Sequence, residues 1–243
     1  MIRFTSVSKF YPGKIPGVID ISVEIPDGEF VFLIGPSGSG KTTLLRLLTR
    51  DLIASNGSII VDDWDLHKLT KGTVHLLRRK VGVVFQDFKL LLDRTVYENV
   101  AMVLEILGKP PKSIPEGVSN VLELVGLTDK KNVFPMQLSA GEMQRAGIAR
   151  AIVGGPKILL ADEPTGNLDP ETAWGIIDIL EEINKLGTTV IIASHNADIV
   201  NRMKKRTLTI EHGHIVRDEE KGHYHLTKHE KRDHKGGKHD AAH

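Results

Sequence analysis

Cysteine is absent from this chain of 243 residues, so disulfide bonds, thiol nucleophiles, iron–sulfur clusters and cysteine-based zinc sites are excluded. An excess of one charge is also absent, because 32 lysine and arginine residues stand against 31 aspartate and glutamate residues. The formal net charge of +1 provides no bulk field for nucleic acid, which is therefore not an expected partner. The lack of cysteine fits a reducing compartment, and we expect the cytoplasm.

Long hydrophobic runs are missing as well. No apolar run approaches the roughly 20 residues that a membrane-spanning helix needs, and the first residues lack the apolar segment of a signal peptide. We therefore expect the chain to cross no bilayer by itself. With 40% hydrophobic and 26% charged residues, the composition is that of a globular protein with one sizeable core or two closely packed subdomains.

Short β-rich runs alternate with segments of helical periodicity, which predicts an α/β fold with a mainly parallel sheet. Residues 18–25 instead alternate apolar and polar side chains and predict an antiparallel β element. Strand-like runs vanish between residues 87 and 155, where helical periodicity predicts an inserted helical subdomain. We assign residues 1–216 to one domain. Residues 217–243, rich in histidine and charge, form a tail that we expect to be mobile.

A phosphate-binding loop is predicted between the strand at residues 30–34 and the helix that follows. It reads Gly35-Pro36-Ser37-Gly38-Ser39-Gly40-Lys41-Thr42, the P-loop pattern of a RecA-like P-loop NTPase. Its glycines let backbone N–H groups turn toward phosphate oxygens, and the helix N-terminus adds positive potential. Lys41 is expected to reach the β and γ phosphates and Thr42 to place its hydroxyl on Mg²⁺, with Thr43 as a further ATP-binding residue.

Two acids follow the apolar run at residues 158–161. Asp162 is placed to hold Mg²⁺, directly or through water, and Glu163 to polarise the water that attacks the γ-phosphate. Acids after a strand are commonly solvated turn residues, but the P-loop favours the functional interpretation. The sequence therefore predicts an ATPase in which Lys41 and Glu163 take part in catalysis.

The segment Leu138-Ser139-Ala140-Gly141-Glu142 precedes a predicted helix. This segment matches the signature of the ABC-type ATPases, and the chain resembles that family over residues 2–216. The family usually has glycine where this chain has Ala140, and we expect weakened or unaltered dimer closure as a result. The resemblance implies that Ser139, Ala140, Gly141 and Glu142 contact the ATP held by the opposite protomer of a homodimer.

Further site residues are implied by the same resemblance, in the order of the family motifs. Gln86 matches the Q-loop residue that contacts Mg²⁺ and senses the γ-phosphate, residues 167–169 match the D-loop, and His195 matches the catalytic switch histidine. Tyr11 matches the aromatic residue that stacks on adenine. Each has a structural alternative, namely turn packing for Tyr11, a strand-end amide for Gln86 and a core histidine for His195, but their shared order favours function.

The run from Phe85 to Ala101 includes Asp-Arg-Thr-Val-Tyr-Glu-Asn-Val and is similar to the FtsE group of cell-division ATPases. This resemblance implies a homodimer at the cytoplasmic side of the plasma membrane, bound to the integral membrane protein FtsX, that controls peptidoglycan hydrolysis. Cytoplasmic division proteins are possible further partners. Two alternatives stay open: the ATPase of a lipoprotein-release or macrolide-export transporter, and a nucleotide-controlled scaffold whose ATP turnover is incidental.

Two segments carry secondary expectations. The apolar residues 88–92 form either the wall of a groove for a helix of the membrane partner or part of the core. The tail histidines could bind a metal, but their irregular spacing without a set of carboxylates favours only weak, adventitious binding. These histidines are His223, His225, His229, His234, His239 and His243.

Overall fold

The computed structural model describes residues 1–224 of the chain. In that range the helices are α1 (Lys41–Leu48), α2 (Val74–Arg78), α3 (Val96–Ile106), α4 (Ile114–Leu124), α5 (Ala140–Ile152), α6 (Pro170–Lys185) and α7 (Ala197–Met203). The strands are β1 (Ile2–Tyr11), β2 (Ile15–Ile25), β3 (Phe30–Ile34), β4 (Asn56–Val61), β5 (Trp64–Asp65), β6 (Val81–Val84), β7 (Ile158–Asp162), β8 (Thr189–Ala193), β9 (Arg206–Glu211) and β10 (His214–Glu219).

Six strands form the central sheet in the order β10-β9-β3-β8-β7-β6. Neighbouring strands are parallel except for the pair β9 and β10. β3 has the sequence FVFLI and is buried along its whole length, as expected for a parallel strand covered on both faces. The predicted α/β fold with a mainly parallel sheet is confirmed.

A second sheet, ordered β2-β1-β4-β5, is antiparallel throughout. Residues 18–25 lie within β2 and bury Val18, Ile21 and Ile25 on one side. The predicted antiparallel element is therefore confirmed. It is larger than the alternating run alone indicated, because β1 also pairs with β4 on its other edge.

The central sheet separates two cores, because successive residues of a strand point to opposite faces. Phe30, Phe32 and Ile34 of β3 pack with residues of α3 to α7. Val31 and Leu33 pack on the other face with α1 and the antiparallel sheet. Both faces are covered, so the strand ends rather than the faces are free to form a site.

The predicted helical insertion is confirmed: α3, α4 and α5 stand between β6 and β7. A capping box begins α3, in which Thr95 Oγ1 accepts the N–H of Glu98 and the Glu98 carboxylate accepts the N–H of Thr95. This pair satisfies N–H groups that have no partner within the first helical turn. The insertion therefore starts at a well-defined residue.

The C-terminal part of the described chain corrects one expectation. The tail was expected to begin at Arg217, yet β10 continues through Glu219, which pairs with Thr207. Arg206 stabilises this edge strand by donating two hydrogen bonds, of 2.8 and 2.7 Å, to the carboxylate of Asp218. Polar composition was misleading because backbone pairing and one ion pair extend the strand through residues 217–219, which have no apolar side chain. The rest of the tail, residues 225–243, lies outside the described residues.

Among residues 1–224, no helix combines the length and apolar character needed to cross a bilayer. The same residues contain no cluster of three histidine, aspartate or glutamate side chains able to hold a metal ion. Of the tail histidines considered as metal ligands, only His223 belongs to this range.

Candidate active site

A cavity of about 900 Å³ opens at the carboxyl ends of β3, β7 and β8. Ligands bind at this edge of parallel sheets because the loops that follow the strands meet there. The cavity brings together most of the residues predicted from the sequence. They are Tyr11, Gly35, Pro36, Ser37, Gly38, Gly40, Lys41, Thr42, Thr43, Gln86, Asp162, Glu163 and His195.

The loop between β3 and α1 forms one wall of the cavity, and two of its glycines are required by its shape. Gly35 and Gly40 have φ angles of 145° and 116°, which residues with a side chain rarely adopt. A methyl group at Gly35 would overlap the carbonyl oxygen of Ile210, and one at Gly40 would lie 2.5 Å from that of Gly17. The loop can therefore bring its backbone close to a ligand.

Ser39 differs from the other loop residues, because it does not line the cavity. It is 3% exposed, and its hydroxyl has no hydrogen-bond partner among the described residues. Its backbone accepts the N–H of Gly213, 3.0 Å away. In this arrangement Ser39 supports the loop from behind.

Lys41 stands at the start of α1 and reaches back across the loop. Its Nζ donates hydrogen bonds to the carbonyl oxygens of Gly35, at 2.8 Å, and Pro36, at 3.0 Å. Burial lowers the pKa of Lys41, while the charges of Glu163 and Asp162 oppose that shift. Phosphate oxygens are stronger acceptors than these neutral carbonyls, so the ammonium group can exchange its present bonds for a triphosphate.

Asp162 ends β7 opposite Thr42, and the two side chains share a hydrogen bond. Burial raises the pKa of Asp162; the negative charge of Glu163 adds to the shift, whereas Thr42 and Lys41 oppose it. A carboxylate and a hydroxyl are oxygen ligands of the type that Mg²⁺ prefers. Gln86 lies on the same cavity, near Gly166, where an added methyl group would come within 3.3 Å of Gln86 Nε2.

Glu163 and His195 form a pair at the same end of the cavity. Glu163 Oε2 lies 2.8 Å from His195 Nδ1 and accepts a hydrogen bond from the His195 backbone N–H, at 3.3 Å. The backbone N–H of Glu163 in turn donates to Ala193 O, at 2.9 Å. Glu163 has a φ of 50°, a strained conformation for this residue type that clusters at functional sites. These contacts hold the carboxylate in one orientation beside the P-loop.

Tyr11 lies at the opposite end of the set, on the last residue of β1. Its hydroxyl is 3.0 Å from Thr43 Oγ1, and its ring passes so close to Gly17 that an added methyl group would lie 2.8 Å from Cε2. Gly17 also lines the cavity, as do Ile15 and Pro16. Sequence analysis missed these three because no motif marks them; they reach the cavity through the pairing of β1 with β2.

The signature segment lies elsewhere: among the described residues that line the cavity, none comes from 139–142. Ser139 caps α5, its Oγ accepting the N–H of Glu142 while the Glu142 carboxylate accepts the N–H of Ser139. The latter bond is the main reason why the pKa of Glu142 is lowered. Ala140 is the first residue of the helix and is not among the residues with positive φ, so its methyl group causes no backbone strain.

Tyr224 is the other cavity residue that sequence analysis did not identify. It lies beyond β10, in a segment whose histidine and charged residues indicated a tail. Local sequence carries no signal for this position, because only the return of the chain after β10 brings it to the site.

Comparison with known proteins identifies the family of the chain. A family model described as ABC transporter matches residues 18–166. The cell division ATP-binding proteins FtsE of Bacillus subtilis and Mycobacterium tuberculosis are each 50% identical to the chain, and each alignment covers 92% of this chain and 98% of the relative. The FtsE protein of Escherichia coli is 46% identical over 88% of this chain and 97% of the relative.

Solved structures agree as well. A dimeric ATP-binding cassette in a post-hydrolysis state with bound ADP and Pi aligns with a TM-score of 0.83 at 30% identity, over 92% of this chain and 100% of that one. The cassette cbiO1 from Clostridium perfringens, part of the ABC transporter complex cbiONQ, has a TM-score of 0.84 at 30% identity, over 90% and 88%.

Motif order, fold and similarity over nearly the whole length of the relatives lead to one assignment. The chain is an ATPase of the ABC transporter family and belongs, within it, to the FtsE group of cell division ATP-binding proteins.

Proposed function

We propose that Glu163 is the general base of ATP hydrolysis. The observation that carries this proposal is the position of its carboxylate, which is held by His195 in the cavity that also contains Lys41. Lys41 and the loop N–H groups bind the β and γ phosphates, Glu163 accepts a proton from the attacking water, and His195 keeps the Glu163 carboxylate oriented. Tyr11 packs against the adenine base.

Mg²⁺ fits the oxygen donors at the phosphate end of the cavity. Thr42 and Asp162, already in contact with each other, would hold it together with Gln86. When bound, Mg²⁺ neutralises charge on the β and γ phosphates. The chain's own contribution is to keep a carboxylate and a hydroxyl side by side at the end of β7 and the start of α1.

The ATPase acts as a homodimer in which each ATP lies between residues 35–42 of one protomer and residues 139–142 of its partner. Two features support this arrangement. The signature segment is remote from the cavity of its own chain, yet it presents a capped helix N-terminus that suits a phosphate. A solved cassette with a closely similar fold is also described as dimeric.

At the cytoplasmic side of the membrane the dimer binds the integral membrane protein FtsX and controls peptidoglycan hydrolysis during division. A groove of about 570 Å³ between β6 and the helical insertion supports a docking site for a helix of that partner. Apolar side chains line it between cationic ones. The apolar residues include Phe85, Met102, Val103 and Ile106, and the cations are Arg78, Arg79 and Arg150. Residues 88–92, for which a groove wall and core packing were the two alternatives, are not among those lining the groove.

The substitution Glu163→Gln tests the proposal. The amide cannot accept the proton of the attacking water, so we expect ATP turnover to fall by about 100-fold or more, with Mg-ATP still bound and the protein accumulating as a dimer. Phosphate release measures turnover, and size-exclusion chromatography with light scattering measures the dimer. Glu123→Gln on the exposed face of α4 is the matched control. Turnover of the Glu163 variant near the parent rate would reject Glu163 as the base.

A further inference from the structure

Tyr224 reaches the phosphate end of the cavity from a part of the chain that no nucleotide-binding motif covers. It lines the cavity together with Gln86, Glu163 and His195. It follows His195, the last of the motif residues, by 29 positions in the sequence. Because Tyr224 is distant in sequence from Glu163 and His195, contacts elsewhere in the fold must hold it beside them.

The chain after β10 is held by backbone N–H groups at Gly222 and at Tyr224 itself. Gly222 donates its N–H to Lys205 O, at 3.2 Å, and packs so closely on β9 that an added methyl group would overlap Thr207. The Tyr224 N–H then donates to Asn201 Oδ1, at 2.6 Å. Asn201 belongs to α7, the helix that follows His195. Residues 220–224, which we name the C-terminal strap, are thus fastened to β9 and to α7, the helix that follows the catalytic histidine.

The environment of the ring suits a hydrogen-bond donor. Tyr224 is half-buried and packs against the core on the helical side of the sheet. Burial raises the pKa of its hydroxyl, and the negative charge of Glu163 adds to that shift. The phenol therefore stays protonated at neutral pH and can donate its O–H.

We propose that Tyr224 is a further ligand of the terminal phosphate of ATP, which it contacts through its O–H beside Glu163, and that the C-terminal strap holds it in place. The proposal rests on the proposed function in taking the Glu163–His195 end of the cavity as the γ-phosphate end. A neutral donor there gains strength as charge builds on the phosphate oxygens during hydrolysis. ADP lacks this phosphate, so the contact distinguishes the two nucleotides.

The test compares Tyr224→Phe with the parent in the full chain. Removal of one hydroxyl donor is expected to lower kcat/KM for ATP by about three- to tenfold. In a Glu163→Gln background ATP affinity falls, while ADP affinity stays within about twofold. Tyr97→Phe, which changes a partly buried tyrosine of α3 outside the cavity, is the matched control. Isothermal titration calorimetry gives the affinities.

Several results would overturn the proposal. Unchanged kcat/KM in Tyr224→Phe removes the role of the hydroxyl, and a rise in kcat shows an obstructing contact instead. Equal losses of ATP and ADP affinity indicate a general structural effect. If the parent hydrolyses ATP and Glu163→Gln does not, any of these results rejects the role of Tyr224 alone and leaves the proposed function intact.

The strap has its own test. Asn201→Ala removes the acceptor of the Tyr224 N–H and is expected to reproduce part of the loss in kcat/KM. Because Asn201 acts only through the position of the hydroxyl, the double variant with Tyr224→Phe should be no worse than Tyr224→Phe alone. Losses that multiply would show that Asn201 acts independently and would overturn the role assigned to the strap.

Discussion

At the scale of single residues, Asn99 shows that a position in a family-like run can have a structural role. Asn99 lies in the run that resembles the FtsE group, yet it is fully buried and does not line the cavity. Its Nδ2 donates to the carbonyl oxygens of Leu91, Arg94 and Thr95, and its Oδ1 accepts the N–H of Leu91. The residue therefore satisfies the backbone of the loop before α3. Sequence resemblance identified the position, but only the contacts explain it.

Asp62 is a second residue whose role depends on contacts between distant segments. Its carboxylate is 9% exposed and lies 3.1 Å from Lys157 Nζ and 3.3 Å from Lys80 Nζ. The aspartate follows β4 in the antiparallel sheet, whereas the lysines precede β7 and β6 of the central sheet. Burial opposes ionisation of Asp62, but the hydrogen bonds and charge of the lysines outweigh it and lower the pKa. The ion pairs thus connect the two sheets.

Asp62→Asn is expected to reduce the free energy of unfolding by about 1 kcal/mol at neutral pH. A lowered pKa means that the contribution is present above the ordinary aspartate pKa and is lost as pH falls through the pKa of the folded state. The difference between parent and variant should persist from about pH 7 to 5 and shrink below about pH 4. Urea denaturation at several pH values measures it.

Asp63→Asn, at the exposed neighbouring position, serves as the control for that experiment. It should leave the free energy of unfolding almost unchanged, because this carboxylate is exposed to solvent. A difference between the Asp62 variant and the parent that did not vary with pH would contradict an electrostatic role for the ion pairs.

At the scale of elements, the start of α5 explains why the signature tolerates alanine at position 140 but not at position 141. Ala140 occupies the first helical position, where an alanine backbone is unstrained. Gly141, one residue later, faces α6, and a methyl group there would overlap Thr172 Cγ2. Gly141 is therefore needed for the packing of α5 on α6, in addition to any contact that it makes with nucleotide.

Gly141→Ala is expected to lower the free energy of unfolding by about 1–3 kcal/mol, because the added methyl group forces α5 away from α6. Thr172→Ser removes the opposing methyl group but keeps the hydroxyl, so the double variant should recover most of the loss. Urea denaturation of both single variants and the double variant checks this. A double variant as unstable as Gly141→Ala would show that the strain lies elsewhere.

The helices and strands differ in how well local sequence predicts them. The inserted helices and most of the parallel strands have strong apolar patterns, from which the helical insertion and the mainly parallel sheet were predicted. The parallel strand β9 was not predicted. The last three residues of β10, 217–219, are all charged, so the extension of the strand through them depends on pairing with β9 and on the ion pair of Arg206 with Asp218. Local patterns do not contain that information.

At the scale of the whole molecule, the cavity and the apolar groove meet in the loop after β6. Gln86 lines the cavity and the adjacent Phe85 lines the groove. A change in the contacts of Gln86 with nucleotide can therefore be passed to a docked partner through one peptide unit. This continuity gives the proposed coupling to FtsX a physical route.

Ile106→Asp places a charge in the groove at a side chain that is already 65% exposed, so we expect the fold and basal ATP turnover to be retained. Capture of FtsX from membranes should be reduced by about tenfold or more, because a docked apolar surface would have to bury a carboxylate. Leu186→Asp, at a leucine 76% exposed and outside the groove, is the control. Equal capture by both variants would reject the groove as the docking site.

The sequence by itself determined the α/β class, the antiparallel element, the helical insertion and the family. Each of these rests on local patterns or on motifs whose residue types are set by phosphate chemistry. Tertiary structure decided what depends on contacts between remote segments: the pairing of Glu163 with His195, the link from Asp62 to the central sheet, and the extension of β10. It also brought Tyr224 to the cavity that Glu163 and His195 line, because side-chain proximity across the fold is fixed by packing rather than by any local signal.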